Sequence, residues 1–394
     1  MRNVIAAVVL LLIAVACGQG QAEAPPDSGE QTTEVSTPAA TGGTGAATAG
    51  APTEDQSPLA AVQEELEGLS GQARTERLVE LAEAEGALTW YGSVSTYERI
   101  NEVFAEEYGL TLDINAYRGG ANEVRIRILE EQTAGHPSAD VVWLTAAEMV
   151  VLEEAGLLAP LRTPATEEVR SDAVQESSVW PMYLVLTPMW NTDLVSPEEV
   201  PTDLEQLFGN EDFRLLMESR QYDWFATLVE DHFMADKGMT REEAIALFEK
   251  VASRAMQVQG NLVVTELLAA GEADITAATY SQFAPTLQEE GAPVAIQPVI
   301  EPMVVEGFPI AVMNGSEHPA AALLYIEFLL SARGQQLLKD EFHYEVTSSA
   351  IPSELLDEYE YKVMDRAAIH ENREEWQDLY ERVLRGAEAG AVAG

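Results

Sequence analysis

In a chain with 22 basic residues against 67 acidic ones, every arginine has many carboxylates to choose from. Arg118 and Arg220 are of interest because both fall at the ends of predicted strands. A guanidinium forks onto a carboxylate or phosphate, so the two point to an oxyanion. The competing reading is that each pairs with a surface carboxylate, an interaction worth little. Gly92, Gly119 and Gly120 lie beside these strand ends, where glycine lets the backbone approach a ligand, and the helix starts that follow offer free amides to an anion. A second set of donors pulls the other way. Tyr91, Tyr222, Asp223 and Glu306 carry oxygen, the hard donor suited to a hard cation, although Tyr222 and Trp224 also read as packing at a helix start. The five histidines, His136, His232, His318, His343 and His370, show no H-x-x-x-H pair, which makes a zinc reading poor. His136 and His318 precede prolines and read as loop residues. There is no G-x-S-x-G elbow, no phosphate-binding P-loop and no pair of acids that stands out, so the residues offer no case for an enzyme.

The elements that must position these groups are clearest between residues 86 and 148. Ala87 to Tyr91, Leu112 to Tyr117 and Ala139 to Leu144 read as strands, with helical spacing between them. Such alternation predicts a parallel sheet covered by helices, with ligands at the carboxyl ends of its strands. Leu59 to Ala84 reads as one helix. Trp180 to Asn191, an apolar run with two prolines, predicts an edge or crossover strand. A second α/β unit follows: helix Asp203 to Phe208, strand Arg214 to Met217, helices Trp224 to Met234, Arg241 to Gln257 and Leu262 to Ala270, strand Asp274 to Thr279, helix Phe283 to Glu290 and strand Val294 to Pro298. Met303 to Met313 is the return crossing, and helices Pro319 to Leu330 and Arg333 to Asp340 come after it. Two α/β lobes joined by two extended crossings predict a hinged molecule, turning near Met189 and Glu306, with its site in the cleft.

Met1-Arg2 followed by 13 apolar residues, Val4 to Ala16, is too short to span a bilayer and reads as a signal peptide over 1–17. It ends Ala14-Val15-Ala16-Cys17-Gly18, which resembles a bacterial lipobox in which Cys17 is lipidated, with Ala14 in place of the usual leucine. As the sole cysteine, Cys17 allows no disulfide and no cysteine-based zinc site. Residues 18–57 hold no aromatic, lysine or arginine and predict a disordered tether about 35 Å from end to end. Beyond it 21 basic and 61 acidic residues remain, a charge of −40, which excludes nucleic acid and anionic membrane surfaces as partners. The expected order is an N-terminal helix at 58–85, lobe 1 from 86–188 with 308–385, lobe 2 from 189–307, and a frayed tail at 386–394.

The segments LTWYGSVS, YRGGANEVRIRI, SADVVWL with EEAGLLAPL, WNTDLV, YDWFATL, LLAAGEADI and GFPIAVMNGSEHPAAALLYIEFLLSARGQQLL, in this order and spacing, resemble the type 2 periplasmic solute-binding proteins of ABC importers. The similarity is to the branch that binds ferric iron, thiamine or aminoalkylphosphonates, and it covers about residues 86–350. It implies a bilobal α/β fold that closes on one ligand and presents it to an ABC permease, without enzymatic activity or cofactor, as a monomer on the outer side of the membrane, held there by the lipid on Cys17. It also implies ligand contacts from Tyr91, Gly92 and Ser93, from Arg118, Gly119 and Gly120, from Thr145 and Ala146, from Arg220, Tyr222 and Asp223, and from Thr279, Tyr280 and Ser281. Iron binders of this branch place two adjacent tyrosines in the second lobe. Here Tyr280 is followed by Ser281, so Tyr280 is the single candidate phenolate for Fe3+ as cargo, and an anion-bearing ligand, or ferric ion held with an anion, is the favoured reading. The alternatives are a secreted enzyme on a related bilobal fold and a sensing lobe of a membrane receptor.

Overall fold

The computed structural model describes residues 57–391. Cys17, the signal peptide and the tether up to residue 56 lie outside the described residues, as do 392–394. Among the described residues no helix is long and apolar enough to cross a membrane.

The first lobe grows from the expected unit. Strand Ala87–Gly92 pairs in parallel with Asp113–Arg118 on one side and Val141–Trp143 on the other, and Ile310–Val312 joins antiparallel to Val141–Trp143. Helix Tyr97–Tyr108 buries Ile100, Val103 and Phe104, the i, i+3, i+4 face of an amphipathic helix, and Gly109 closes it in the left-handed conformation at φ 64°. Helix Pro319–Leu330 is apolar nearly all round and is correspondingly buried, covered by helix Gly71–Glu85. Its one acid, Glu327, accepts hydrogen bonds from Arg74 (2.6 Å) and Thr163 (2.7 Å), so the inward charge is paired.

In the second lobe, Leu215–Glu218 pairs in parallel with Ala255–Val258 and Ile275–Thr276, and Trp190–Asn191 links the antiparallel edge strand Val294–Ala295 to Ile275–Thr276. Its core is aromatic: Phe248 packs edge-on against Phe225 (4.8 Å), Phe208 (5.3 Å) and Trp224 (5.6 Å).

A third sheet carries both crossings. Met182–Thr187 lies between Met303–Gly307 and Glu345–Val346, and its end pairs with Thr279–Tyr280, while Tyr361–Val363 runs parallel to Met303–Gly307. The apolar run with two prolines is therefore central here and not an edge. Pro181 and Pro188 flank the strand, so neither removes a ladder hydrogen bond.

Other expectations give way to local chemistry. The single helix over Leu59 to Ala84 is two, Pro58–Glu65 and Gly71–Glu85, separated at Gly68, whose φ of 80° no helix accommodates. The helix expected to run to Gln257 stops at Ala252, because Arg254 turns inward to donate to the carbonyls of Leu207, Phe208 and Phe213, and the chain continues as the edge strand Ala255–Val258. Helix Arg373–Ala391 runs past 386, where the frayed tail was expected to begin. Most consequential, the stretch Met364 to Leu384, expected with lobe 1, buries Met364, Ile369, Trp376, Tyr380 and Val383 in the aromatic core of the second lobe. Chain order suggested the first lobe, but the apolar face of this helix finds its partner on helix Arg241–Ala252.

Candidate functional site

Several residues expected at the ligand are taken up by internal contacts. Tyr91 is 3% exposed, and its hydroxyl meets Glu131 and Ser138 at 3.0 Å each, with Arg127 stacked 5.0 Å over its ring. Gly92 is glycine for packing: a Cβ there would come within 2.5 Å of the Trp90 ring and 2.7 Å of the Trp143 carbonyl. At Gly119 a Cβ would sit 3.3 Å from Glu123, whereas Gly120, cap of helix Ala121–Ala134, opens on free space. Thr279 is fully buried and bonded to Thr265 (3.0 Å), and Ser281 fixes the chain by donating its amide to the Val185 carbonyl (2.8 Å).

Others remain available. Thr145 caps helix Ala146–Glu154 without spending its side chain on the cap. The Ser93 hydroxyl is buried without a hydrogen-bond partner among the described residues, a cost that a bound ligand would relieve. Arg118 ends the strand Asp113–Arg118, and Arg220 lies two residues past Leu215–Glu218. Both are exposed, and among the described residues neither guanidinium makes a hydrogen bond or an ion pair. The Arg220 loop is held by Glu218, whose carboxylate accepts from the amides of Arg220 (2.6 Å) and Gly260 (2.8 Å).

Two oxygen donors of the second set, Asp223 and Glu306, do converge, and they do so around Arg366. Arg366 starts the short helix Arg366–Glu371, capped by Asp365, and its guanidinium pairs with Asp223 and, at 2.5 Å, with Glu306. Glu306 lies on the return crossing strand Met303–Gly307 and is fully buried, while Asp223 lies on the second-lobe helix Tyr222–Thr227. Burial raises the Glu306 carboxyl above its ordinary range, and Arg366 opposes the shift without cancelling it. Burial opposes the charge on Arg366 in turn, but Asp223 and Glu306 outweigh it. Tyr280, packed between both cores, has its phenol pushed far above the usual range by burial and by Glu306, and burial also raises that of Tyr222. Neither ring is thereby prepared as a phenolate. The signal in sequence was slight: Arg366 is one of few cations and follows the helix-capping Asp365.

The segment around Arg366 touches both lobes. Helix Arg366–Glu371 packs on helix Ala146–Glu154 of the first and on helix Tyr222–Thr227 of the second, and Arg373 reaches to 3.9 Å from Glu148. A cleft of about 440 Å³ opens here, lined by Ala146, Met149, Trp180, Gly307, Asp365 and Arg366, a size suited to a small solute. A larger cavity, about 860 Å³, lies between the N-terminal helices and residues 162–167, away from every strand-end loop, and holds none of the expected residues.

Comparison with known proteins accords with this architecture. The profile described as bacterial extracellular solute-binding protein matches residues 92–342. No curated protein sequence matches the chain. Solved structures similar to it include iron-bound HitA from Pseudomonas aeruginosa, 19% identical over 75% of this chain and 99% of that one, with a TM-score of 0.61. Others are the Trichodesmium protein IdiA (FutA) in complex with iron and citrate, 19% identical over 76% and 99% with a TM-score of 0.60, and MotA from A. tumefaciens B6 in complex with glucopine, 14% identical over 76% and 99% with a TM-score of 0.58. With two α/β lobes, paired crossing strands and a profile match over most of the body, the chain belongs to the bacterial extracellular solute-binding proteins and has the bilobal fold of the periplasmic binding proteins.

Proposed function

We propose that this solute-binding protein captures a small anion-bearing solute between its lobes, with Arg118 contributed by lobe 1 and Arg220 by lobe 2, and hands it to an ABC permease. One observation carries the reading: in a chain of net charge −45, these two arginines at strand ends are left without an acidic partner among the described residues. Arg77, Arg99 and Arg214, by contrast, are each paired with a carboxylate. Ser93, Gly120 and Thr145 supply hydroxyls and helix-start amides around the same anion. Lobe 1 then comprises 86–188 with 308–363, and lobe 2 comprises 189–307 with 364–385.

A ferric ion held together with an anion is the second reading, favoured by the iron and citrate bound in similar structures. Tyr280 would be its phenolate. Against bare iron stands Arg366, which already neutralises Asp223 and Glu306 beside that ring. Titration calorimetry with phosphate, a phosphonate, citrate and ferric citrate separates the two: binding of anions without iron supports the first, and binding of ferric citrate alone supports the second. A ligand-induced rise in melting temperature without turnover distinguishes a binder from an enzyme. Lipidation at Cys17 is part of the proposal, with the mature protein a monomer tethered outside the cytoplasmic membrane. Cys17→Ser should release it into the soluble fraction with unchanged affinity, and retention of that variant in the detergent phase would overturn the anchor.

A further inference from the structure

The second lobe contains a 9-residue π-helix, Leu228–Asp236, in which the His232 carbonyl accepts from the Lys237 amide (3.0 Å), an i to i+5 bond. Such helices are rare and are frequent at functional sites. Its register sets His232, 1% exposed, against Glu205: Nε2 lies 3.4 Å from Glu205 Oε2, and because a carboxylate only accepts, this contact assigns the proton to Nε2. Lys237 pairs with the same carboxylate at 2.7 Å. With the proton on Nε2, the lone pair is on Nδ1, which is buried and has no hydrogen-bond partner among the described residues. Nδ1 faces Asp236, one helical turn on, and Glu360, from the loop before strand Tyr361–Val363, and the three ligand atoms lie within 4.8 Å of one another.

We propose that His232 Nδ1, Asp236 and Glu360 bind a divalent transition cation of the Zn2+ type. A carboxylate on the far nitrogen of a ligating imidazole is the usual second shell of such sites, fixing tautomer and ring orientation. One imidazole and two carboxylates, leaving room for water, suit Zn2+, whereas Ca2+ and Mg2+ take oxygen ligands only. The position already attracts positive charge: the Lys362 ammonium contacts Asp236 and lies 3.2 Å from Glu360. Lys362 is the cation that the metal displaces, and its partly exposed side chain has a path to solvent. Other charged groups at this face are Asp231 and Asp365, whose carboxylates favour either cation. The H-x-x-x-H criterion passes over the site because it is H-x-x-x-D completed by a glutamate distant in sequence. Since Tyr361–Val363 pairs with the crossing strand Met303–Gly307, a bound ion ties the crossing sheet to the second lobe.

The test is Zn2+ binding to the full chain, measured by competition with a chromophoric chelator, together with thermal unfolding with and without Zn2+. The wild type should bind one ion and melt higher with it. Asp236→Asn and Glu360→Gln, both at exposed positions, should each weaken binding by about tenfold or more, while Lys362→Met, which removes the competing ammonium, should tighten it. His232→Ala should abolish the melting shift, and the two surface variants keep the test open should it not fold. Equal Zn2+ affinity in the wild type, Asp236→Asn, Glu360→Gln and Lys362→Met means adventitious binding to an acidic surface and overturns the site. So does a wild type that binds no Zn2+, whatever Lys362→Met does.

Discussion

Arg366 and the pair Arg118 and Arg220 are the same residue type serving opposite purposes. Arg366, with its side chain 11% exposed, sits between two carboxylates from different parts of the chain and joins the return crossing to the second lobe. Arg118 and Arg220 are exposed at strand ends and make no ion pair among the described residues, despite a threefold excess of acids. A buried guanidinium must be paired because an uncompensated charge in a low-dielectric interior costs several kcal/mol, whereas an exposed one is solvated and can await a ligand. Pairing and burial, rather than residue type, separate the charges that hold this fold from those free to bind.

The largest effect is expected of Arg366→Ala. It leaves the Glu306 carboxylate buried without its partner, and should destabilise the protein by about 3–5 kcal/mol in chemical denaturation. A loss below about 1 kcal/mol would place Arg366 with the other two arginines. Next in size, Arg118→Ala and Arg220→Ala should each weaken binding of an anionic solute by about 1.5–3 kcal/mol, the range for a hydrogen bond to a charged group, with stability unchanged within about 0.5 kcal/mol. Calorimetry paired with unfolding measures both, and normal binding in both variants sinks the anion reading. Tyr280→Phe should cost less, about 0.5–1.5 kcal/mol of affinity, since it removes only a neutral hydroxyl. Loss of all binding in this variant, with the arginine variants normal, restores a metal site at Tyr280. The smallest effect is on pH dependence. Because Glu306 binds its proton more tightly folded than unfolded, its contribution to stability is present below the ordinary glutamate range and is lost as pH rises through the raised value. Glu306→Gln should flatten that part of the stability profile, and an unchanged slope would show that Arg366 keeps Glu306 ionised throughout.

Much of the scaffold was legible in the sequence because its patterns are local. The unit from 86 to 148 shows its strands as short apolar or alternating runs and its helices by i, i+3, i+4 spacing, and both crossings stand out as extended apolar segments. The C-terminal stretch was not legible in the same way. Helix Arg373–Ala391 reads as amphipathic wherever it packs, and nothing local says that Trp376 and Tyr380 meet Phe225 rather than the first lobe. The internal contacts of Tyr91 are hidden from the sequence for a related reason. Its place at a strand end suggested ligand contact, but strand side chains alternate between faces, and this one turns to Glu131 and Ser138.

By itself the sequence determined the two α/β lobes, their crossings and the excess of negative charge, since hydrophobic period, glycine placement and composition act over a few residues or over the whole chain. Only the tertiary structure decided which charges are spent. Arg366 finds Asp223 and Glu306 across 143 and 60 positions of chain, counted from 223 and 306 to 366, and His232 comes to face Glu360. Electrostatic pairing depends on distance and burial, and neither is fixed until the lobes have packed.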